Sequence, residues 1–183
     1  NKIKRLVKII NYEKIDNLFI SSNENVCWLL NIRGKDLPNS PVANFQAILT
    51  KKNKIFIFGN IKKLKNVKKK ILNKKIVFFE KEKFFQVLNS LKGNSFCIDS
   101  KTCSILNENL INSKFKIEKR IDPIYILKSI KNSTEIKNMI NTHIKDGVAV
   151  TKFLHWIKNS NISHLDEIKV EKKLESFRRK SKN

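Results

Sequence analysis

Short apolar runs of strand period alternate with amphipathic stretches of helical period through the first 120 residues of this 183-residue chain, which constrains the fold more than any other feature. A helical signal covers residues 1–13, and strand signals follow at 17–20, 26–32, 45–50 and 54–58. The last two flank Lys52-Asn53, a short polar turn that predicts a hairpin. Helix 60–73 then leads to strand 76–80, helix 82–92 to strand 96–99, and helix 102–111 to strand 115–118. Strands interleaved with helices predict an α/β fold with helices covering the sheet, and the antiparallel hairpin makes the sheet mixed.

After Lys119 only helical signals remain. Asp122-Pro123 opens a short helix running to Ile130, proline being harmless in a first turn whose N–H has no helical partner. Asn132-Ser133-Thr134-Glu135 reads as a capping box, and Ile136, Met139/Ile140, His143/Ile144, Gly147, Val150, Phe153/Leu154 and Ile157 then keep helical spacing over about six turns. Ser163-His164-Leu165-Asp166 is expected to start a further helix striped with Val170, Leu174 and Phe177. The chain thus divides into an α/β domain over 1–121 and a helical segment over 122–183. The last two helices have no sheet of their own, so their apolar stripes are expected to pack on residues beyond Asn183. A chain that starts with Asn and has its single Met at position 139 reads as a piece of a longer protein.

Charge is the feature most open to misreading. The formal net charge is +23, which raises the question of a nucleic-acid partner. Yet 34 of the 39 cations are Lys, whereas phosphate and base recognition favours the planar Arg fork. Lys, Asn, Ile and Phe supply 95 of the residues, a bias of A/T-rich codons that needs no ligand to explain it. The densest cluster, Lys62 to Lys75, carries Ile61, Leu64, Val67, Ile71 and Leu72 at near-helical spacing, as a surface helix with a solvated Lys face would. No nucleic-acid partner is expected. No apolar stretch approaches the roughly 20 residues that cross a bilayer, and no signal-peptide core follows the first residues. A soluble, cytoplasmic protein without a membrane partner is the expectation. Cys27, Cys97 and Cys103 form an odd set with no Cys-x-x-Cys pair, as free buried thiols would.

No catalytic residue is predicted in this chain, and no metal ligand. His143, His155 and His164 are scattered, the carboxylates lie among lysines at helix-surface spacing, four glycines make no phosphate loop, and no Ser or Cys has a nucleophile-elbow context. Two segments stand out. In Cys27 to Pro41 an apolar run ends in a polar turn holding Arg33, one of five Arg. A strand-end loop is where sheets place binding groups, although Arg33 and Asp36 could equally pair with one another and fix the turn. In the long helix, Gly147 costs about 0.5–1 kcal/mol against Ala, so close approach by another element is expected there.

These segments carry a resemblance. Trp28-Leu29-Leu30-Asn31-Ile32-Arg33-Gly34 with Asp36, Asn39 and Pro41 is similar to the strand and loop W-L-L-N-I-R-G-x-D-…-N-x-P of the three-domain Xaa-Pro aminopeptidases (aminopeptidase P), metallopeptidase family M24 of the creatinase and prolidase superfamily. Lys128 to Trp156, above all His143-Ile144-Lys145-Asp146-Gly147, resembles the segment joining that family's middle and catalytic domains. Leu165 to Arg179 resembles the next helix, with Asp166-Glu167 where the family usually carries Thr-Glu.

The resemblance implies a creatinase-type N-terminal (middle) α/β domain followed by the opening helices of an incomplete pita-bread catalytic domain. It implies that the parent protein is a hydrolase removing the residue before proline, with two divalent metals, expected to be Mn in the full-length protein, held by two Asp, one His and two Glu contributed after this segment. None of those ligands is among these residues, so the segment by itself is expected to be inactive and to bind no cofactor. It would shape the cleft for an Xaa-Pro peptide and supply contacts of a homodimer. Arg33, Asp36, Asn31 and Trp28 are the candidates for facing substrate or interface, a guanidinium suiting a peptide carboxylate or carbonyl. His143 is expected to be a packing or helix-anchoring residue. A metal-free creatinase-like scaffold that binds protein or peptide is the alternative.

Overall fold

The computed structural model describes residues 2–60, 62–63 and 74–181. Its elements are α1 (Lys2–Tyr12), β1 (Asn17–Ile20), α2 (Asn23–Leu30), β2 (Gln46–Thr50), β3 (Ile55–Phe58), β4 (Ile76–Phe79), α3 (Phe84–Ser90), β5 (Ser95–Ile98), α4 (Ile105–Asn112), β6 (Lys116–Lys119), α5 (Ile124–Ser129), α6 (Ser133–Lys158) and α7 (Glu167–Lys180). The helix expected over 60–73 lies almost wholly outside the described residues. The six strands form one mixed sheet in the order β4-β3-β2-β1-β5-β6. β2 runs antiparallel to both of its neighbours, and the β3/β4, β1/β5 and β5/β6 pairs are parallel, as the interleaved pattern and the Lys52-Asn53 hairpin predict.

Strand pleating sorts the apolar side chains into two chemically different layers. Leu18, Ile20, Ala47, Leu49, Ile55, Ile57 and Cys97 pack with Leu6 and Ile10 of α1, Val26, Cys27 and Leu29 of α2, and Ile124 and Leu127 of α5. The opposite face is aromatic: Phe19, Phe56, Phe58 and Phe96 pack with Phe84, Val87 and Leu88 of α3, Ile111 of α4, and Phe115. Phe84 is the hub, its ring centroid 5.3 Å from Phe19 and 5.1 Å from Phe58. Helices therefore cover both faces of the sheet.

The run at 26–32 is a helix where a strand is expected. Val26 to Leu30 has no polar–apolar alternation, and a short continuous apolar run fits a buried helix as well as a buried strand. The flanks decide it: Ser22 is the extended N-cap, and Asn31 closes the helix in the left-handed conformation (φ 54°, ψ 47°), donating its N–H to the carbonyls of Cys27 and Trp28.

The contacts divide the chain after Ser129. In the second unit α6 begins at the expected capping box, with the Glu135 N–H donating to Asn132 Oδ1 and the Asn132 N–H to Glu135 Oε2, both at 2.9 Å. α7 starts later than expected, because its cap is Asp166, whose Oδ1 accepts from the Lys169 N–H at 2.7 Å; Ser163 belongs to a short 3₁₀ turn. Val170, Leu174 and Phe177 are half-buried, and the Arg178–Asp146 ion pair (2.7 Å) and Lys173 beside the Trp156 ring (5.2 Å) link α7 to α6. The first half of α6 keeps its apolar stripe exposed, with Ile140 at 55 % and Ile144 at 62 %. His143 is exposed, and a Cβ on Gly147 would meet nothing within 4 Å among the described residues, so the close approach at Gly147 is not realised among them.

Candidate functional site

β1, β3, β4, β5 and β6 end on the same edge of the sheet, the edge where open α/β sheets carry ligands. Two polar assemblies lie along it: the loop 31–44 that returns to β2, and a buried group around Asp99 and Asp122.

The loop is built from its two ends inward. At its start, the Ile32 N–H donates to the Cys27 carbonyl (3.0 Å). The Gly34 N–H then donates to Pro41 O and the Asp36 N–H to Val42 O, both at 3.1 Å. A Cβ on Gly34 would lie 2.6 Å from the Ala43 backbone, so only glycine permits this approach. Cys27 Sγ lies 3.3 Å from the Ala43 N–H that donates to it, tying α2 to the returning strand. Burial pushes the Cys27 thiol above its usual pKa, in keeping with a structural role.

Asp36 organises the tip. Its Oδ2 accepts from the Asn44 N–H at 2.9 Å, and its Oδ1 pairs with the Lys63 ammonium. These two donors hold its carboxyl below the usual carboxylate range. Asp36 thus fixes the turn, but through Asn44 and Lys63 and not by pairing with Arg33. Arg33 is exposed, with no partner among the described residues. Asn31 is the exposed C-cap. Trp28 lies on α2 against α1: Lys2 Nζ sits 4.0 Å from its ring centroid and donates to its carbonyl at 2.7 Å. The fold gathers Asn31, Arg33 and Asp36 in one loop and leaves Trp28 in the helix that carries it.

The buried group was not signalled by any motif. Asn25, Asp99 and Asp122 are each less than 5 % exposed. Asp122 Oδ1 accepts from the Ile124 N–H (2.9 Å) as the cap of α5, and Asp99 Oδ2 accepts from the Asp122 N–H (3.0 Å). Desolvation pushes the Asp122 carboxyl above its ordinary range. The local traces of this set are Asn25 just before the apolar run 26–30, Asp99 just past a strand end, and Asp122 before Pro123 at a helix start. Among the described residues, no three His, Cys, Asp or Glu side chains converge as a metal site would require, and no helix is long and apolar enough to cross a membrane.

The opposite edge is fastened by Asp16. Its Oδ1 takes the Lys51 ammonium (2.5 Å), and its Oδ2 takes the N–H groups of Asn94 (2.7 Å) and Ser95 (3.1 Å). The Lys51 ion pair, then the Asn94 N–H, lower its pKa from 3.8 to about 2. A carboxylate whose pKa is depressed in the fold stabilises it above the unfolded value and loses that contribution as pH falls toward the folded one. Stability is therefore expected to drop by about 1–2 kcal/mol between pH 4 and pH 2, discounted for the half-exposed Lys51. Urea unfolding of Asp16→Asn should lack this increment.

Comparison with known proteins places the architecture. Residues 1–135 match the Creatinase/Prolidase N-terminal domain family. Xaa-Pro aminopeptidase 1 of Dictyostelium discoideum is 33 % identical over 185 residues, spanning 97 % of this chain and 29 % of that protein. Among solved structures, the X-prolyl aminopeptidase of Caenorhabditis elegans, a cytosolic enzyme with a di-nuclear active site, superposes with a TM-score of 0.76 at 21 % identity over 96 % of this chain and 30 % of its own. The Xaa-Pro dipeptidase of Bacillus anthracis superposes with a TM-score of 0.71 at 19 % identity, over 98 % of this chain and 48 % of its own. The chain spans under a third of the length of the curated relatives it matches. The mixed sheet with helices on both faces and the matched residues lead to one conclusion: the chain belongs to the Creatinase/Prolidase N-terminal domain family.

Proposed function

We propose that this chain is the non-catalytic portion of a dinuclear, metal-dependent Xaa-Pro aminopeptidase, with the creatinase-type domain over 1–121 and the opening helices of the pita-bread domain over 122–183. The observation that carries this reading is that 97 % of the chain aligns at 33 % identity with 29 % of a longer Xaa-Pro aminopeptidase. The unpaired apolar stripe on the first half of α6, with Ile136, Met139, Ile140 and Ile144 exposed, supports it as the face on which the rest of the catalytic domain would pack.

The side chains described here do not fit a dinuclear centre, since no ligand cluster exists among them. Two divalent metals, manganese in our reading, belong to the remainder of the protein, and no step of hydrolysis is assigned to these residues. Their part is to shape the cleft and the contacts of a homodimer. The parent would act in the cytoplasm, as the Caenorhabditis elegans relative does. Within the loop, Asp36 is committed to Asn44 and Lys63, which leaves the Arg33 guanidinium as the group free to meet a peptide carboxylate or carbonyl.

A charge-assisted hydrogen bond made to bound peptide and kept through the reaction raises KM when lost and leaves kcat alone. Arg33→Ala in the full-length enzyme should raise KM for an Xaa-Pro peptide about tenfold or more with kcat nearly unchanged, on the usual strength of such bonds. Arg33 is exposed, so stability should not move. Unchanged KM contradicts the assignment.

A further inference from the structure

The Arg33 loop inherits its position from α2, and α2 is gripped at its first turn by α5. Asn25, fully buried, is the joint between them. Its Nδ2 donates to Asp122 Oδ2 at 2.8 Å, and its Oδ1 accepts from Lys128 Nζ at 2.7 Å. The Lys128 ammonium also lies 3.6 Å from Glu24 Oε1 and 4.5 Å from the Tyr125 ring centroid. Asp122 is in turn held by the Ile124 N–H, and its own N–H donates to Asp99, which accepts from the Lys101 N–H at 3.0 Å as well. Three segments therefore meet in one satisfied polar network: the first turn of α2, the turn after β5, and α5, which leads in sequence into the second unit.

α2 is short, so the network acts on the loop over a small distance. The C-cap Asn31 lies six positions after Asn25, about 9 Å at helical rise. Cys27, two residues nearer the loop, passes any movement of α2 to the Ala43 backbone through its sulfur contact. Removing one member of a buried network leaves its partners unsatisfied, which costs more than the bond contributed when made.

We propose that Lys128 and Asn25 are positioning residues for the Arg33 loop, forming a clamp that couples α5 to the loop through α2. The functional weight of the clamp rests on the substrate-facing reading of that loop, whereas its existence does not. The test is hydrogen exchange on the 183-residue protein, comparing wild type with Lys128→Met. The reporters are the N–H groups of Gly34 and Asp36, bonded to Pro41 O and Val42 O, and that of Ala43, bonded to Cys27 Sγ.

The clamp predicts that these three amides exchange about tenfold faster in Lys128→Met, together with those of α5, while β1 and β5 keep their protection. Loop protection that survives loosening of α5 overturns the proposal. So does a uniform loss that includes β1 and β5, which a purely structural role would produce. Should Lys128→Met not fold, Lys128→Gln removes the charge, keeps a donor amide and is read the same way. The readout needs no turnover: a rigid loop in Lys128→Met refutes the clamp and leaves the substrate reading standing, and an unchanged KM in Arg33→Ala does the reverse.

Discussion

Phe19→Ala is expected to destabilise the α/β unit by about 4 kcal/mol, the larger part of an ordinary domain's stability. Phe19 is wholly buried at the middle of β1, a central strand that pairs antiparallel with β2 on one side and parallel with β5 on the other. Its ring meets Phe84, which also contacts Phe58, so truncation opens a cavity beneath α3 and removes the tilted Phe19–Phe84 ring contact. Rigid rings on β3 and β5 cannot collapse into such a void, which places the cost toward the upper end of the usual range. Phe19→Leu fills most of the volume and should cost about 1–2 kcal/mol. Urea denaturation with an unchanged m-value is the measurement, and a loss below about 2 kcal/mol for Phe19→Ala would show that the aromatic layer is not the packed half of the core.

Gly93→Ala should cost about 3 kcal/mol, combining a left-handed backbone with a steric clash. Gly93 has φ +113°, and a Cβ there would lie 2.6 Å from Asp16 Cβ and 2.8 Å from its Oδ2. The turn brings the Asn94 and Ser95 N–H groups onto that carboxylate, so a side chain at 93 pushes Asp16 away from the donors that depress its pKa. Gly93→Ala should therefore also flatten the stability change between pH 4 and pH 2. Full acid dependence in this variant would mean that Asp16 owes its low pKa to Lys51 alone.

Local signals were the legible ones. The hairpin at Lys52-Asn53, the alternating strands 45–50 and 54–58, and the Asn132/Glu135 capping box each depend on residues within a few positions of one another, and each forms as expected. The run at 26–32 was misread because burial on all sides erases the periodicity that separates helix from strand. Partners distant in sequence left no trace: Lys63 lies 27 positions from Asp36, and Lys128 lies 103 from Asn25. Gly147 shows the opposite error, a mid-helix glycine whose apparent reason, a close neighbour, is absent among the described residues. In the site, Arg33 and Asp36 were picked out by residue type and turn context, yet which of them is committed to the fold and which is free depended on Lys63 and Asn44.

The role we propose for these residues is to support a hydrolytic centre formed elsewhere in the protein. Its most direct test is cleavage of an Xaa-Pro peptide with manganese present, run in parallel on the 183-residue protein and on the full-length chain. Turnover by the full-length chain and none above background by the 183 residues is expected. Cleavage by the 183 residues, or none by the full-length chain, would contradict it.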